Sequence, residues 1–484
     1  MDQVTDSEIK KRLAFDNPWW ADGAVPQRFR DWPKRAYLPG LLTLMKAEVK
    51  RAVVLLGPRR VGKTVMLHQA IQQLIETNVD PKAILYVSVD TPVYSGLTLD
   101  KLLGLFQEIH GHKRNATLFV LYDEVQYHPQ WEVHLKSLVD SHPYIRFVAS
   151  GSAAALRMKS NESGAGRFTD FLLPPLTFAE FLEFAKRPNP VQGERLFPAR
   201  IEEVNRDFVD YLNFGGFPEA VIDEQVRRNM DRYIANDIID KVLLRDLPSL
   251  YGISDTQELN RLFTTLAYNT GNEVSLDELS KSSGVAKNTL RKYLEYLESA
   301  FLIHRLYRVD QNAKRFRRAT RFKVYLTNPS IRAALFGAVG PEDAAMGRMA
   351  ETSLIGQYVH FDMVKDFHYA RWNKGEVDLI AINPRTQRAE YVVEIKWSDS
   401  VVKNIGTACA GLIEFCRNNR VGVGYLFTQS VGGIFDVPDV KIIASPVAQA
   451  TLELADGIAR AINYRQRPRP LFPPHWYAGT DPAL

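Results

Sequence analysis

The chain has 484 residues, 45% hydrophobic and 24% charged, and 61 basic against 56 acidic side chains leave a net charge of +5. That balance is ordinary for soluble globular protein of roughly three domains. It excludes nucleic-acid binding by bulk charge, and no apolar run reaches the ~18 residues of a membrane span.

Residues 1–34, including "NPWW", read as an N-terminal arm with a short helix and no signal peptide, since "MDQVTDSEIK" is charged from the start. The arm is an extra feature, expected to serve a protein partner or an oligomer contact. Residues 35–175 alternate apolar strands ("RAVVLLG", "AILYVSVD", "TLFVLYDE", "IRFVASG") with helical stretches. Such alternation predicts a parallel sheet covered on both faces, an α/β fold.

Within this segment "GPRRVGKT" matches G-x-x-x-x-G-K-[ST] at Gly57, Gly62, Lys63 and Thr64. Glycines let the backbone wrap a phosphate, and the helix that follows favours anions at its N-terminus. Lys63 is expected to reach the β- and γ-phosphates of ATP, and the Thr64 hydroxyl to ligate Mg2+. "TLFVLYDE" ends in Asp123 and Glu124 at the carboxyl end of a strand, the edge where open α/β sheets bind ligands. Asp123 is expected to hold Mg2+ through water and Glu124 to polarise the attacking water; a pair of acids opening a helix is the other reading. "IRFVASGS" ends in Ser150 and Ser152, either γ-phosphate sensors or an ordinary strand-end turn. In "ESGAGRF", Arg167 is a candidate arginine finger in cis or from a neighbouring subunit; Arg245 is a weaker one, and for both a structural salt bridge is the alternative.

Residues 176–270 read as a helical lid region with a turn at "FGGFP", and 271–330 as a winged helix. There "SLDELSKSSGVAKNTLRKYLEYL" carries the period of two helices joined through Gly284, with Leu290, Tyr293, Leu294 and Leu297 on the apolar face of the second. Lys287 and Arg291 lie off that face. The hairpin beyond holds Lys314, Arg315, Arg317, Arg318, Arg321 and Lys323, six cations in ten residues, a density suited to DNA phosphates. Packing as a lid or against a protein is the competing use.

Residues 341–463 return to mixed α/β, and 464–484 form a Pro-rich tail, a second candidate partner segment. Cys409 and Cys416, seven apart, are expected to pack on one helix face, which fits a reducing cytoplasm. In "NKGEVDLIAINPRTQRAEYVVEIKW" two strands flank a turn. A hairpin centred on Thr386 sets Asp378 opposite Glu394, with Lys396 on the same face. Glu351, on a preceding helix, adds a further carboxylate. Carboxylates and a lysine so grouped bind Mg2+ and orient a water for phosphodiester attack; a solvated hairpin with an Asp–Lys bridge is the alternative.

Together these motifs resemble a large group of bacterial and archaeal AAA+ ATPases that couple an Orc-type P-loop domain to a winged helix and a C-terminal PD-(D/E)XK restriction-endonuclease-like domain. The resemblance spans roughly residues 35–430 and rests also on "LYDEVQ", "LPPLTFAEFL", "FGGFPEAV" and "EVDLI…VVEIKW". It implies ATP at Gly62, Lys63 and Thr64, the acidic pair Asp123 and Glu124, and a nuclease site at Glu351, Asp378, Glu394 and Lys396. "VYLTNPSI" departs from the group, as do the arm and tail. The function implied is a homo-oligomeric, ATP-dependent DNA-processing protein that cleaves DNA with Mg2+. The alternative is an ATP-driven switch whose nuclease-like domain only binds DNA or a protein.

Overall fold

The computed structural model describes residues 4–152, 166–190, 198–316, 320–358, 367–373 and 375–464. The chain divides into unit 1, reaching to Pro174 and including the segment from Ala461, and unit 2, Pro175–Arg460.

Unit 1 is built on five parallel strands: β1 (Ala52–Gly57), β2 (Ile84–Ser88), β3 (Leu118–Asp123), β4 (Ile145–Ser152) and β5 (Phe168–Leu172). Their order is β2-β3-β4-β1-β5. Strands β1 and β3 are buried along their whole length, as expected for a sheet with both faces covered. Parallel pairing brings Gly57, Ser88, Asp123 and Ser152 to one carboxyl edge.

The N-terminal residues close the exposed flank of β2. The Asn17 side chain donates to the Tyr86 carbonyl at 2.9 Å and accepts from the Tyr86 amide at 2.7 Å, so it pairs with the strand as another strand would. The indoles of Trp19 and Trp20 both donate to the Ile84 carbonyl, at 3.2 and 2.8 Å. Unpaired edge groups invite association with other chains, and this plug removes them. "NPWW" was expected to meet a partner; instead Asn17 and Trp19 are fully buried and Trp20 nearly so, within unit 1 itself.

Unit 2 begins with helices over the described residues from Phe178 to Tyr268. The first, Phe178–Phe184, opens with a buried capping box: Glu180 donates its amide to Thr177 and accepts the Thr177 amide in return. A nine-stranded sheet follows: β6 (Glu273–Ser275), β7 (Ile303–Val309), β8 (Arg321–Leu326), β9 (Phe367–Trp372), β10 (Gly375–Ile382), β11 (Ala389–Ile395), β12 (Val423–Thr428), β13 (Gly433–Val437) and β14 (Val440–Pro446). Its order is β13-β14-β12-β11-β10-β9-β7-β8-β6. Strand β7 pairs antiparallel with β8 and parallel with β9. The regions expected as separate domains at 271–330 and 341–463 therefore share one sheet, because β7 has a partner on each side.

One face of this sheet packs Val377, Ile380, Val392 and Leu426 against Leu412 and Cys416 of the helix Ala410–Asn419. Burial pushes the Cys409 and Cys416 thiols up to about 11 and about 12, so both behave as packing groups. "VYLTNPSI" and "FGGFP" form a close joint: a Cβ on Gly216 would lie 1.2 Å from the side-chain nitrogen of buried Asn328. Strands β10 and β11 pair Leu379 with Val393 and Ala381 with Tyr391, which continues to Asp378 opposite Glu394, the register expected for a turn about Thr386.

Candidate functional site

The phosphate loop runs from the end of β1 into the helix Lys63–Glu76. Gly62 takes φ 91°, a left-handed conformation that a side chain would strain, and turns the chain into the helix. Gly57 serves close packing: a Cβ there would sit 2.2 Å from the Leu173 carbonyl oxygen. Buried Arg35 holds the loop from behind, donating to the carbonyls of Val61 at 2.8 Å and Pro174 at 2.9 Å. The Lys63 ammonium donates to the carbonyls of Gly57 at 3.1 Å and Pro58 at 2.8 Å.

Asp123 is the centre of the polar groups at this edge. One carboxylate oxygen accepts from the hydroxyls of Thr64 at 2.7 Å and Tyr86 at 2.9 Å. The other accepts from the Glu124 amide at 3.0 Å and from the Ser150 hydroxyl. Burial, and then the Asp123 charge, raise the Tyr86 phenol well above its ordinary range, so it stays a donor. Glu124 has φ 55° and accepts from the Gln126 amide. Burial raises its carboxyl above the ordinary value, against the pull of Lys63, which suits a group that takes up a proton. Ser152 donates its amide to Gln126 at 3.3 Å, while its buried hydroxyl has no partner among the described residues. Hard oxygen donors at Thr64 and Asp123, beside a loop rich in backbone amides, fit a nucleotide with Mg2+.

Arg167 lies elsewhere. It precedes β5 at the amino end of the sheet, its carbonyl accepting from the Ala52 amide. Five residues of β1 separate that point from the phosphate loop, about 16 Å of strand. Its guanidinium pairs with Asp140 at 2.5 Å. The reading of Arg167 as a finger for its own loop is thus corrected, since a parallel strand puts its start and its loop at opposite edges.

In unit 2 the expected nuclease residues do converge, but around a lysine. The Lys323 ammonium lies 3.2 Å from Glu351, 2.9 Å from Glu376 and 3.0 Å from Asp378. Lys323 was grouped with the cations of the basic hairpin; β8 instead turns its side chain inward, where it is 5% exposed. Glu351 also accepts from the Tyr325 hydroxyl at 2.5 Å, and the second oxygen of Asp378 accepts from the Ile395 amide at 2.9 Å. Glu394 pairs with Lys396 at 2.7 Å through one oxygen, and its other oxygen has no partner among the described residues. Burial, then the Asp378 charge, push Glu394 up to about 8. Burial pushes Glu351 up to about 7 against Lys323. Burial would raise Asp378 too, but Lys323, Lys396 and the Ile395 amide hold it below its ordinary value. Mg2+ takes oxygens at about 2.0–2.1 Å, and one oxygen each of Glu351 and Asp378 already serves the Lys323 ammonium. The arrangement does not fit the metal expected at Glu351, Asp378 and Glu394, and among the described residues no group of three or more histidine, cysteine or acidic side chains is placed to hold one.

The expected nucleic-acid contacts divide. Lys287, Arg291, Lys314, Arg315 and Arg321 are exposed. Lys287 pairs with Asp277, Arg321 with Glu273 at 3.0 Å, and Arg291 donates to Asn288 at 3.1 Å. Arg317 and Arg318 lie outside the described residues, as does the Pro-rich tail beyond 464. Tyr86, Gln126, Arg35 and Lys323 were missed. Gln126 alone had a local signal, since it stands two residues after Glu124 in "DEVQ".

The site belongs to a recognised class. Residues 49–182 match the domain family described as "AAA domain", a span that holds the phosphate loop, Asp123, Glu124, Ser152 and Arg167. The chain therefore carries a P-loop domain of the AAA type, which implies binding of a nucleotide, ATP, usually with Mg2+. Residues 205–342 match a domain of unknown function, DUF8612. An uncharacterised protein of Methanocaldococcus jannaschii is 26% identical over 384 residues, 74% of this chain and 78% of that one. An uncharacterised protein of Haemophilus influenzae is 27% identical over 296 residues, 59% and 70% of the two chains. Among solved structures, C. elegans PCH-2 aligns with a TM-score of 0.29 at 13% identity, over 45% of this chain and 61% of that one, a likeness too slight to bear on the fold. No helix among the described residues is long and apolar enough to cross a membrane.

Proposed function

We propose that the chain is an AAA-type ATPase whose turnover responds to nucleic acid, DNA being the expected partner, and that it works as a homo-oligomer. The observation that carries this reading is the Thr64–Asp123 contact beside Glu124 at the mouth of the phosphate loop. Loop amides and Lys63 hold the phosphates, and Thr64 and Asp123 would hold Mg2+, which supplies charge neutralisation when bound. Glu124, its proton affinity raised, orients the attacking water and takes its proton. Ser152, whose amide donates to Gln126 and whose hydroxyl has no partner among the described residues, senses the terminal phosphate. Arg167 acts on a neighbour's nucleotide, which its place at the opposite edge of the sheet supports.

In unit 2 the exposed Lys287, Arg291, Lys314, Arg315 and Arg321 offer phosphate contacts. A second reading, a switch that gates a protein partner, is favoured by the ion pairs that already engage Lys287 and Arg321.

The test is ATP hydrolysis with and without single-stranded, duplex and branched DNA. Wild type is expected to be stimulated by at least one of these. Glu124→Gln should still bind ATP but hydrolyse it about 10²–10³-fold more slowly. Failure of wild type to bind ATP would reject the reading. Hydrolysis indifferent to DNA, with DNA binding unchanged in Lys314→Ala/Arg315→Ala as salt is raised, would favour the protein switch.

A further inference from the structure

An ammonium has three N–H donors and no acceptor, so three carboxylates saturate it. Lys323 donates to Asp378 at 3.0 Å and Glu351 at 3.2 Å, and Glu376 lies within ion-pair distance at 2.9 Å. The three come from two elements, Glu351 from the helix Met346–Tyr358 and the other two from β10, while Lys323 comes from β8. Strands β7 and β9 lie between β8 and β10 in the order of the sheet, so Lys323 joins strands that are not hydrogen-bonded neighbours. Its ammonium lies 5.6 Å from the centroid of the Tyr369 ring of β9. Tyr325, also on β8, engages Glu351.

We propose that Lys323 is the resident cation of this cluster, standing where a divalent ion would otherwise bind, so that unit 2 uses the acids Glu351, Glu376 and Asp378 to fasten β8 to β10 and the helix rather than to cut nucleic acid. The basic hairpin leading into β8 is then anchored at its inner end by the same lysine. The proposal is independent of the nucleotide reading, because no residue of unit 1 enters it.

A buried charge left without its partners is strongly destabilising, so a lysine in this position is not interchangeable with a neutral residue unless another cation enters. That property makes the proposal testable with Mn2+ alone. The full-length chain, free of nucleotide and carrying Asp123→Asn to silence the phosphate-loop site, is titrated with Mn2+ and free ion is read by electron paramagnetic resonance. The Lys323 form is expected to show no binding that Glu394→Gln or Asp378→Asn removes. Lys323→Met is expected to gain one Mn2+ site at least tenfold tighter than any in its parent, and Asp378→Asn added to it should abolish that site. Mn2+ should also raise the melting temperature of Lys323→Met and not that of its parent.

Binding by the Lys323 form that disappears in Asp378→Asn would overturn the proposal, as would a folded Lys323→Met with no new site. Plasmid nicking by wild type with Mg2+ or Mn2+, lost in Glu394→Gln, would overturn it as well. Should Lys323→Met fail to fold, the comparison of the Lys323 form with its Glu394→Gln and Asp378→Asn variants still decides the question, and Lys323→Arg, which keeps the charge, should fold and bind no Mn2+.

Discussion

Each unit sets a buried lysine beside acidic side chains, and the two lysines are held differently. Lys63 donates to backbone carbonyls, of Gly57 and Pro58, which are neutral acceptors. Lys323 donates to the carboxylates of Glu351 and Asp378 and forms an ion pair with a third, Glu376. A hydrogen bond from an ammonium to a neutral carbonyl is worth about 1.5–3 kcal/mol net and can be exchanged for one to a phosphate, which carries the opposite charge. Two charge-assisted bonds to buried Glu351 and Asp378, beside an ion pair with partly exposed Glu376, are not exchanged without leaving buried charges uncompensated. The first lysine is poised for a ligand; the second has its partners already.

The comparison predicts opposite outcomes for the two substitutions. Lys63→Ala is expected to lower ATP hydrolysis by about 10²-fold or more and to cost less stability than Lys323→Met, since the acceptors at Gly57 and Pro58 are neutral. Lys323→Met is expected to cost about 3–5 kcal/mol in urea unfolding of unit 2, with hydrolysis in the absence of DNA within twofold of wild type. A Lys323→Met chain as stable as its parent would break the contrast.

The sequence made one of these lysines legible and hid the other. Lys63 sits in a contiguous eight-residue pattern whose chemistry is local, so strand, loop and helix could be read from neighbouring letters. The register that sets Asp378 opposite Glu394 was also local, fixed by one turn. Lys323 lies among five other cations of the hairpin, and nothing nearby marks it as the one that faces inward. Its role depends on β7 pairing with β9 and so joining two regions far apart in sequence. The tryptophans of "NPWW" misled for the same reason: their hydrogen bonds go to Ile84, more than sixty residues away. Composition could not show that an edge strand was waiting there.

That edge plug sharpens the contrast from another side, as a polar device without charge. Asn17 makes two backbone hydrogen bonds with Tyr86, whose hydroxyl in turn contacts Asp123. Asn17→Ala leaves the Tyr86 amide and carbonyl unpaired in a buried place, at about 1–3 kcal/mol. Thermal unfolding is expected to fall accordingly, and hydrolysis to drop only a few-fold through a loosened Tyr86. Loss of hydrolysis as deep as in Lys63→Ala would mean that the plug belongs to the catalytic edge.

The last expected effect, on pH dependence, concerns the carboxylate that Lys323 does not reach. Among the described residues Glu394 has a partner for one oxygen only, and burial with the Asp378 charge raises its folded pKa to about 8, above an unfolded value of about 4.3. The native state then holds this proton more tightly than the unfolded chain does. Between those two values the unfolded chain has lost the proton and the native state keeps it, so this component of stability falls as pH rises through the window and levels off above about 8. In Glu394→Gln nothing titrates at this position, and the slope of unfolding free energy against pH between 5 and 8 should become less negative than in wild type. Urea midpoints at four pH values across that window measure it. Equal slopes would mean that Glu394 is ionised throughout, with a cation on its second oxygen, and the distinction between the saturated lysine of unit 2 and the ligand-ready lysine of unit 1 would narrow to the three acids that Lys323 touches.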